Sequence, residues 1–283
     1  EEWALILRSL GCTAAVCPIS GEADDNTIAA YREAAEKNGI TIAEVGVWNS
    51  PIADDETVRS RSLAYAKSQL RLADKIGAVC CVNVSGSTGP IWYSGCKKDR
   101  TPEGFERIVS SIQEIIDDVQ PKNTYYTIEC MPIVPPTSPD EYLKLLDAVG
   151  RERFSVHLDP FNMIFTPDRY FWNAEFMHEC FEKLGPHIKS IHAKDVLLTD
   201  EYERKKSVKA AWITMPFCGR SPHCRRKRRS SSSTETRWRN TARNWSLCGN
   251  GPGLSASRCC KPFSLRTSHR KGAFYERTLG PVR

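Results

Sequence analysis

The chain has 283 residues, a formal net charge of +6 and 12 cysteines, a length that suits one large α/β domain. It holds no run of 18 or more apolar residues, which excludes a membrane-spanning helix. The opening Glu1-Glu2-Trp3-Ala4 lacks the basic and apolar regions of a secretory signal, so none is expected. The averages hide a division, because residues 1–206 carry a net charge of −9 and residues 207–283 a net charge of +15. The larger part reads as an acidic cytoplasmic enzyme. The chain opens without Met in a helix-like segment, so its true start is expected upstream. Seven cysteines fall before residue 206 without metal-finger spacing. Cys80 and Cys81 are adjacent on an apparent strand and point to opposite faces, which favours reduced thiols over a disulfide framework.

From residue 11 onward, short apolar runs alternate with amphipathic segments. Residues 11–19 read as a strand and 24–38 as a helix closed by Gly39; 40–47 read as a strand and 54–76 as a helix closed by Gly77. Residues 78–84 form the next strand. The helix after it is the clearest, with Phe105, Ile108, Val109, Ile112, Ile115, Ile116 and Val119 at i, i+3, i+4, i+7 spacing. Residues 125–129, 154–159 and 188–193 are strands, separated by helices at 139–149 and 174–184. Strict alternation implies parallel strands joined by right-handed crossovers. An open nucleotide-binding sheet would place a Gly-rich turn after its first strand, and Ser85-Gly86-Ser87-Thr88-Gly89 instead follows a middle one. A (β/α)8 TIM barrel is therefore expected, incomplete because its first strand is absent and its eighth is missing from the tail.

Residues 207–283 lack this rhythm. Arg225-Arg226-Lys227-Arg228-Arg229 precede four serines, which suggests a disordered basic tail or a nucleic-acid arm. Trp212, Trp238, Trp245 and five cysteines argue against ordinary disorder, which is poor in such residues. Reading each codon from the last base of the one before turns a TCN serine codon into NTC, which encodes only Phe, Leu, Ile or Val. Permitted codons from Lys206 to Ala242 then spell a helix, a Pro-bounded loop and a strand ending Leu-Leu-Leu-Glu-His. The expected organisation is a barrel domain over 1–206 and an out-of-frame, disordered basic segment over 207–283.

Ligands of a parallel barrel bind at the C-terminal ends of its strands. Glu129 closes Thr127-Ile128-Glu129, Asp159 closes His157-Leu158-Asp159, and His192 closes Ser190-Ile191-His192. Taken singly, each reads more readily as a solvated loop residue, a helix cap or a core histidine than as a ligand. Together at successive strand ends, two carboxylates and an imidazole suit a divalent ion such as Mn²⁺, Mg²⁺, Co²⁺ or Zn²⁺. Period-two alternation turns Glu129, His157 and Asp159 inward and Tyr126, Ile128, Val156 and Leu158 toward the helices. His157 reads as a hydrogen-bonded core residue. Trp48 and Asn49 follow one strand, Asn83 and Ser85 end the next, and all four are expected to line the mouth.

The stretches T-I-E-C-M-P, V-H-L-D-P-F-N and S-I-H-A-K-D resemble the xylose isomerase-like barrel superfamily of sugar-phosphate isomerases and epimerases, over residues 5–200. The resemblance implies that Glu129, Asp159 and His192 are three of four metal ligands. The fourth would be a Glu ending the eighth strand, for which the shifted frame supplies a candidate, and it would pair with Glu129 as catalytic base. Asn162 stands where several relatives have a substrate-contacting His. Lys194 and Asp195 match the family's H-x-K-D and either touch substrate, support His192 or form a surface ion pair. The implied activity is isomerisation or epimerisation of a small sugar, sugar phosphate or keto acid, by metal-assisted proton abstraction next to a carbonyl and an enediolate. An inosose-type dehydratase needs the same metal and base. A zinc endonuclease of the abasic-site type would need a His-rich cluster, and the chain has six His. Readings of another class are a non-catalytic sugar-binding module and a nucleic-acid binder acting through the basic tail, the latter disfavoured with the tail itself. No membrane partner is expected, and a homo-oligomer is left open. Lacking two barrel strands and one base, the chain as it stands is expected to be inactive and poorly folded.

Overall fold

The alternation in the sequence becomes six strands of one parallel sheet with helices along one face. The computed structural model describes residues 1–194, 196–198 and 204–206, all within one compact unit. The order is α1 (Glu2–Ser9), β1 (Ala14–Val16), α2 (Asp25–Lys37), β2 (Thr41–Gly46), α3 (Glu56–Ile76), β3 (Cys80–Asn83), α4 (Pro102–Val119), β4 (Tyr125–Glu129) and α5 (Pro139–Val149). Next come β5 (Phe154–Leu158), α6 (Pro160–Met163), α7 (Pro167–Phe171), α8 (Asn173–Leu184) and β6 (Ile188–Ile191). The strands lie side by side in chain order, each pair parallel. This is a six-strand portion of a (β/α)8 barrel. β7 (Val196–Leu198) and β8 (Arg204–Lys206) pair antiparallel in a separate ribbon, so neither extends the parallel sheet. The expected eighth strand and the out-of-frame segment, residues 207–283, lie outside the described residues.

Local chemistry sets the helix ends. The Asp24, Asp55, Thr101 and Ser138 side chains accept backbone N–H bonds at the starts of α2, α3, α4 and α5, each such cap contributing about 1 kcal/mol. Gly77 and Gly150 end α3 and α5 in the left-handed conformation, which glycine adopts without steric penalty. On α4, Ile108, Ile112, Ile115 and Ile116 are buried, and Phe105, Val109 and Val119 pack against them. They share one buried cluster with Ile42, Val45, Cys81, Tyr126 and Ile128 of the sheet. A second cluster sets Val156 and Leu158 of β5 against Phe176, Met177 and Leu184 of α8. Each fully buried side chain of this kind contributes roughly 1.5–3 kcal/mol.

The inner face of the sheet is polar. Glu44 pairs in register with Cys80, and Cys80 with Tyr125; nearer the strand ends, Glu129 pairs with His157 and His157 with Ser190. The sheet is strongly curved, since Glu44 of β2 reaches His192 beyond β6 at 3.1 Å although three strands separate them. The seven described cysteines are all unbridged, with Cys81 in the helix-facing core and Cys80 bonded to the Ala43 carbonyl. Among the described residues no helix is long and apolar enough to cross a membrane.

Candidate metal centre

Glu129 is the last residue of β4, and Asp159 follows β5 as the N-cap of α6. His192 follows β6, its N–H bonded to the Leu158 carbonyl at 3.0 Å. This one extra rung of pairing brings the imidazole level with Asp159. Ligand atoms of Glu129, Asp159 and His192 all lie within 4.8 Å of one another. His192 Nδ1 is 3.3 Å from Glu129 Oε1 and 4.0 Å from Asp159 Oδ2. Both carboxylates are buried. Asn162, on the first turn beyond Asp159, bridges them by donating from Nδ2 to Glu129 Oε1 at 3.1 Å and to Asp159 Oδ2 at 3.2 Å. The Lys194 ammonium bonds Asp159 Oδ2 and lies 3.6 Å from Glu129 Oε1.

The charges of this cluster are strongly shifted. Burial works to raise the Glu129 carboxyl, but the hydrogen bond from His192, a contact with Asp159 and the charge of the imidazoles bring it below the usual range. Burial and the neighbouring Glu129 push the Asp159 carboxyl up, partly offset by Lys194. One proton is thus held more readily by Asp159 than by Glu129. His192 is pushed up to about 9, burial being outweighed by hydrogen bonds to Glu129 and Glu44 and by their charges. His157 is pushed down to about 4, chiefly by burial, and is neutral near pH 7.

Two features went unseen in the sequence. Glu44, in the middle of the apolar run of β2, is buried and faces both His192 and His157. A lone acidic residue within Thr41-Ile42-Ala43-Glu44-Val45 was the signal that could have found it. His157 is buried as expected, but neither ring nitrogen has a hydrogen-bond partner. It sits one inward row below Asp159, its ring edge-on to His192 at 4.2 Å.

The mouth residues separate into two groups. Trp48 stacks on the His192 ring at 6.0 Å, with its backbone in the left-handed region at φ 56°. A Cβ on Gly46 would collide with the Trp48 indole, so glycine there lets the ring lie over the strand end. Asn49 and Asn83 bond each other instead. Asn83 Oδ1 accepts from the Asn49 N–H at 3.0 Å, and its Nδ2 donates to Tyr126 Oη at 3.1 Å, tying the loop to the helix-facing side of the sheet. Ser85 donates to the Pro135 carbonyl. Asp195 lies outside the described residues.

The donor set fits a divalent cation. Two carboxylates and one imidazole converge, and Glu129 Oε2 is buried with no hydrogen-bond partner, although a carboxylate oxygen left unpaired in the interior is costly. Lys194 brings a positive charge to the same two carboxylates. Elsewhere, a cleft between α4 and α5 is lined by Arg100, Phe105, Glu141 and Lys144. Those side chains already satisfy one another, Arg100 with Glu141 and Lys144 over the Phe105 ring.

Curvature of the parallel sheet defines a TIM-barrel protein, and its acid–imidazole cluster lies on the C-terminal face, where ligands of such barrels bind. Residues 6–217 match the xylose isomerase-like TIM barrel family, and the chain belongs to that family. No curated protein matches it in sequence. Among solved structures, a D-psicose 3-epimerase with D-tagatose from Clostridium cellulolyticum is similar at 17% identity and TM-score 0.53, over 69% of this chain and 67% of that one. Endonuclease IV from Thermus thermophilus is similar at 14% identity and TM-score 0.52, over 69% and 71%. A xylose isomerase-like TIM barrel protein from Mycobacterium smegmatis in complex with magnesium is similar at 16% identity and TM-score 0.50, over 69% and 66%. At these identities the likeness establishes the fold, and the match spans about two thirds of each of those chains.

Proposed function

We propose that this barrel is a divalent-metal-dependent isomerase or epimerase of a small sugar or sugar-derived keto compound. The observation that carries the reading is the convergence of Glu129, Asp159 and His192 within 4.8 Å at three successive strand ends. The epimerase and the magnesium complex among the structural neighbours support it through the fold they share with this chain. Glu129, Asp159 and His192 would hold the ion, which when bound supplies Lewis acidity to a substrate carbonyl. Glu129 is held below the usual carboxylate range and so is ionised, and its carboxylate would take the proton next to the carbonyl. Asn162 holds Oε1 of the same carboxylate and fixes the direction in which Oε2 points. Trp48 gives a flat apolar wall against the C–H face of a sugar. Lys194 and Asp195 are the proposed substrate contacts, while Asn49 and Asn83 shape the loop that carries Trp48. Asn162 is neutral and already committed to two carboxylates, which disfavours the further metal ions that an endonuclease of this fold would need.

The test is Mn²⁺ binding to the purified chain, followed by electron paramagnetic resonance, in wild type, Glu129→Gln and His192→Ala. Saturable binding to one site, weakened at least tenfold in both variants, supports the reading; no saturable binding in wild type overturns it. A dehydratase using the same residues is distinguished by its product, since it releases water where an isomerase conserves the substrate formula.

A further inference from the structure

We infer that Glu44 is a positioning residue for His192, fixing which imidazole nitrogen faces the ion; this rests on the metal-site reading above. His192 lies between acids on both sides. Its Nδ1 faces Glu129 and Asp159, and its Nε2 is 3.1 Å from Glu44 Oε1. A neutral imidazole has one N–H and one lone pair. A carboxylate that takes the Nε2 hydrogen therefore leaves the lone pair on Nδ1, toward the candidate ligands, and makes that nitrogen a stronger donor. Trp48 stacked on one side of the ring and His157 edge-on to it hold the plane in which this choice is made.

Glu44 is explained by the imidazole of His192 rather than by the apolar packing around it. It is 5% exposed on a strand whose neighbours are apolar. Among the described residues its only ion-pair partners are His192 and His157, besides a 3.4 Å hydrogen bond from Ser190 Oγ to Oε2. No Lys or Arg among the described residues compensates it. In the metal-free protein its charge is therefore balanced at the imidazole of His192, and without that partner a carboxylate buried here would be destabilising. His157 lies 3.5 Å away at Nδ1 and has no hydrogen-bond partner of its own, so it gives Glu44 little stabilisation. The gain from Glu44 lies at His192.

The experiment uses the full chain labelled with ¹⁵N-histidine, together with Glu44→Leu and Glu44→Gln. Zn²⁺-loaded wild type should show one slowly exchanging downfield imidazole proton on Nε2, removed by His192→Gln and absent in Glu44→Leu. Mn²⁺ affinity should fall about 10–100-fold in Glu44→Leu and less in Glu44→Gln, whose amide oxygen still accepts. Thermal unfolding of the metal-free variants reports whether the fold survives. Unchanged Mn²⁺ affinity in both variants, or a Zn²⁺-loaded wild type carrying its proton on Nδ1, overturns the role of Glu44 while leaving the metal site standing. Should Glu44→Leu fail to fold, the wild-type proton and the Gln variant decide. Absence of metal binding in wild type overturns both readings together.

Discussion

His192 and Lys194 hold the positive charge that an incoming cation must replace. The imidazole is kept protonated up to about 9 by the acids around it. Raised above its ordinary value of about 6.5, it contributes stability that is fully present below that value and lost as pH rises through about 9. Cation binding runs the opposite way, because the ligating nitrogen must first lose its proton. Mn²⁺ affinity should therefore climb between about pH 6.5 and 9, with protons released on binding. Calorimetry in buffers of different ionisation enthalpy measures that release, and a pH-independent affinity without it would remove His192 from the ligand set. Lys194 competes for the same oxygens, bonding Asp159 Oδ2 and lying 3.6 Å from Glu129 Oε1. Lys194→Met should tighten Mn²⁺ binding severalfold while weakening any sugar that stabilises the loaded protein, read as a smaller ligand-induced rise in Tm. Weaker Mn²⁺ binding in this variant would mean that the ammonium supports the site instead of occupying it.

At the scale of elements, the loop after β3 shows how the rim is held. Asp99 is 1% exposed and accepts from Ser87 Oγ at 2.6 Å, the Thr88 N–H at 2.7 Å, Thr88 Oγ1 at 2.6 Å and the Cys96 N–H at 2.8 Å. Burial works to raise its carboxyl, and these four donors lower it below the ordinary range. The stability it contributes is present above an unfolded value of about 3.9 and is lost as pH falls through its lower folded value. Asp99→Ala should destabilise by about 1–3 kcal/mol and flatten the loss of stability in acid, measured by urea unfolding at pH 7 and near pH 3. Such a hub is invisible in the sequence, where Ser85-Gly86-Ser87-Thr88-Gly89 reads only as a polar turn. Elements with their own periodicity were legible: the isoleucine face of α4, and β4 with β5 and β6 ending in Glu129, Asp159 and His192. Each of those signals is local. Glu44 was not legible, because its meaning depends on a residue 148 positions away. The short helices α6 and α7 were missed too, being specified by an Asp or Thr cap followed by Pro and too brief to show a period. The first strand, read over 11–19, is only Ala14–Val16, since an edge strand has a neighbour on one side to hold it.

The whole molecule is governed by how that sheet closes. Among the described residues β1 and β6 each have one partner, and Leu5, Ile6 and Leu10 near the start of the chain and Val16 of β1 are all more than half exposed. A complete barrel leaves no such edge, because strands on either side pair with it and cover the adjoining apolar side chains. The paired-base chemistry that the family resemblance implies also needs a second carboxylate facing Glu129. The alternative frame expected from Lys206 admits codons for both requirements at once, an apolar strand with Glu at its end. We therefore propose that a protein carrying residues 1–206 followed by the alternative-frame product turns over a ketosugar in the presence of Mn²⁺. The 283-residue chain should bind Mn²⁺ through three residues yet show no turnover, measured as sugar conversion beside the Mn²⁺ titration. Substituting Gln for the Glu that ends the restored strand should abolish turnover while leaving thermal unfolding unchanged, because closure depends on the strand and chemistry on the carboxylate. Turnover by the 283-residue chain itself would show that residues 207–283 need no correction, and the second base would then have to be sought among the acids this chain already contains.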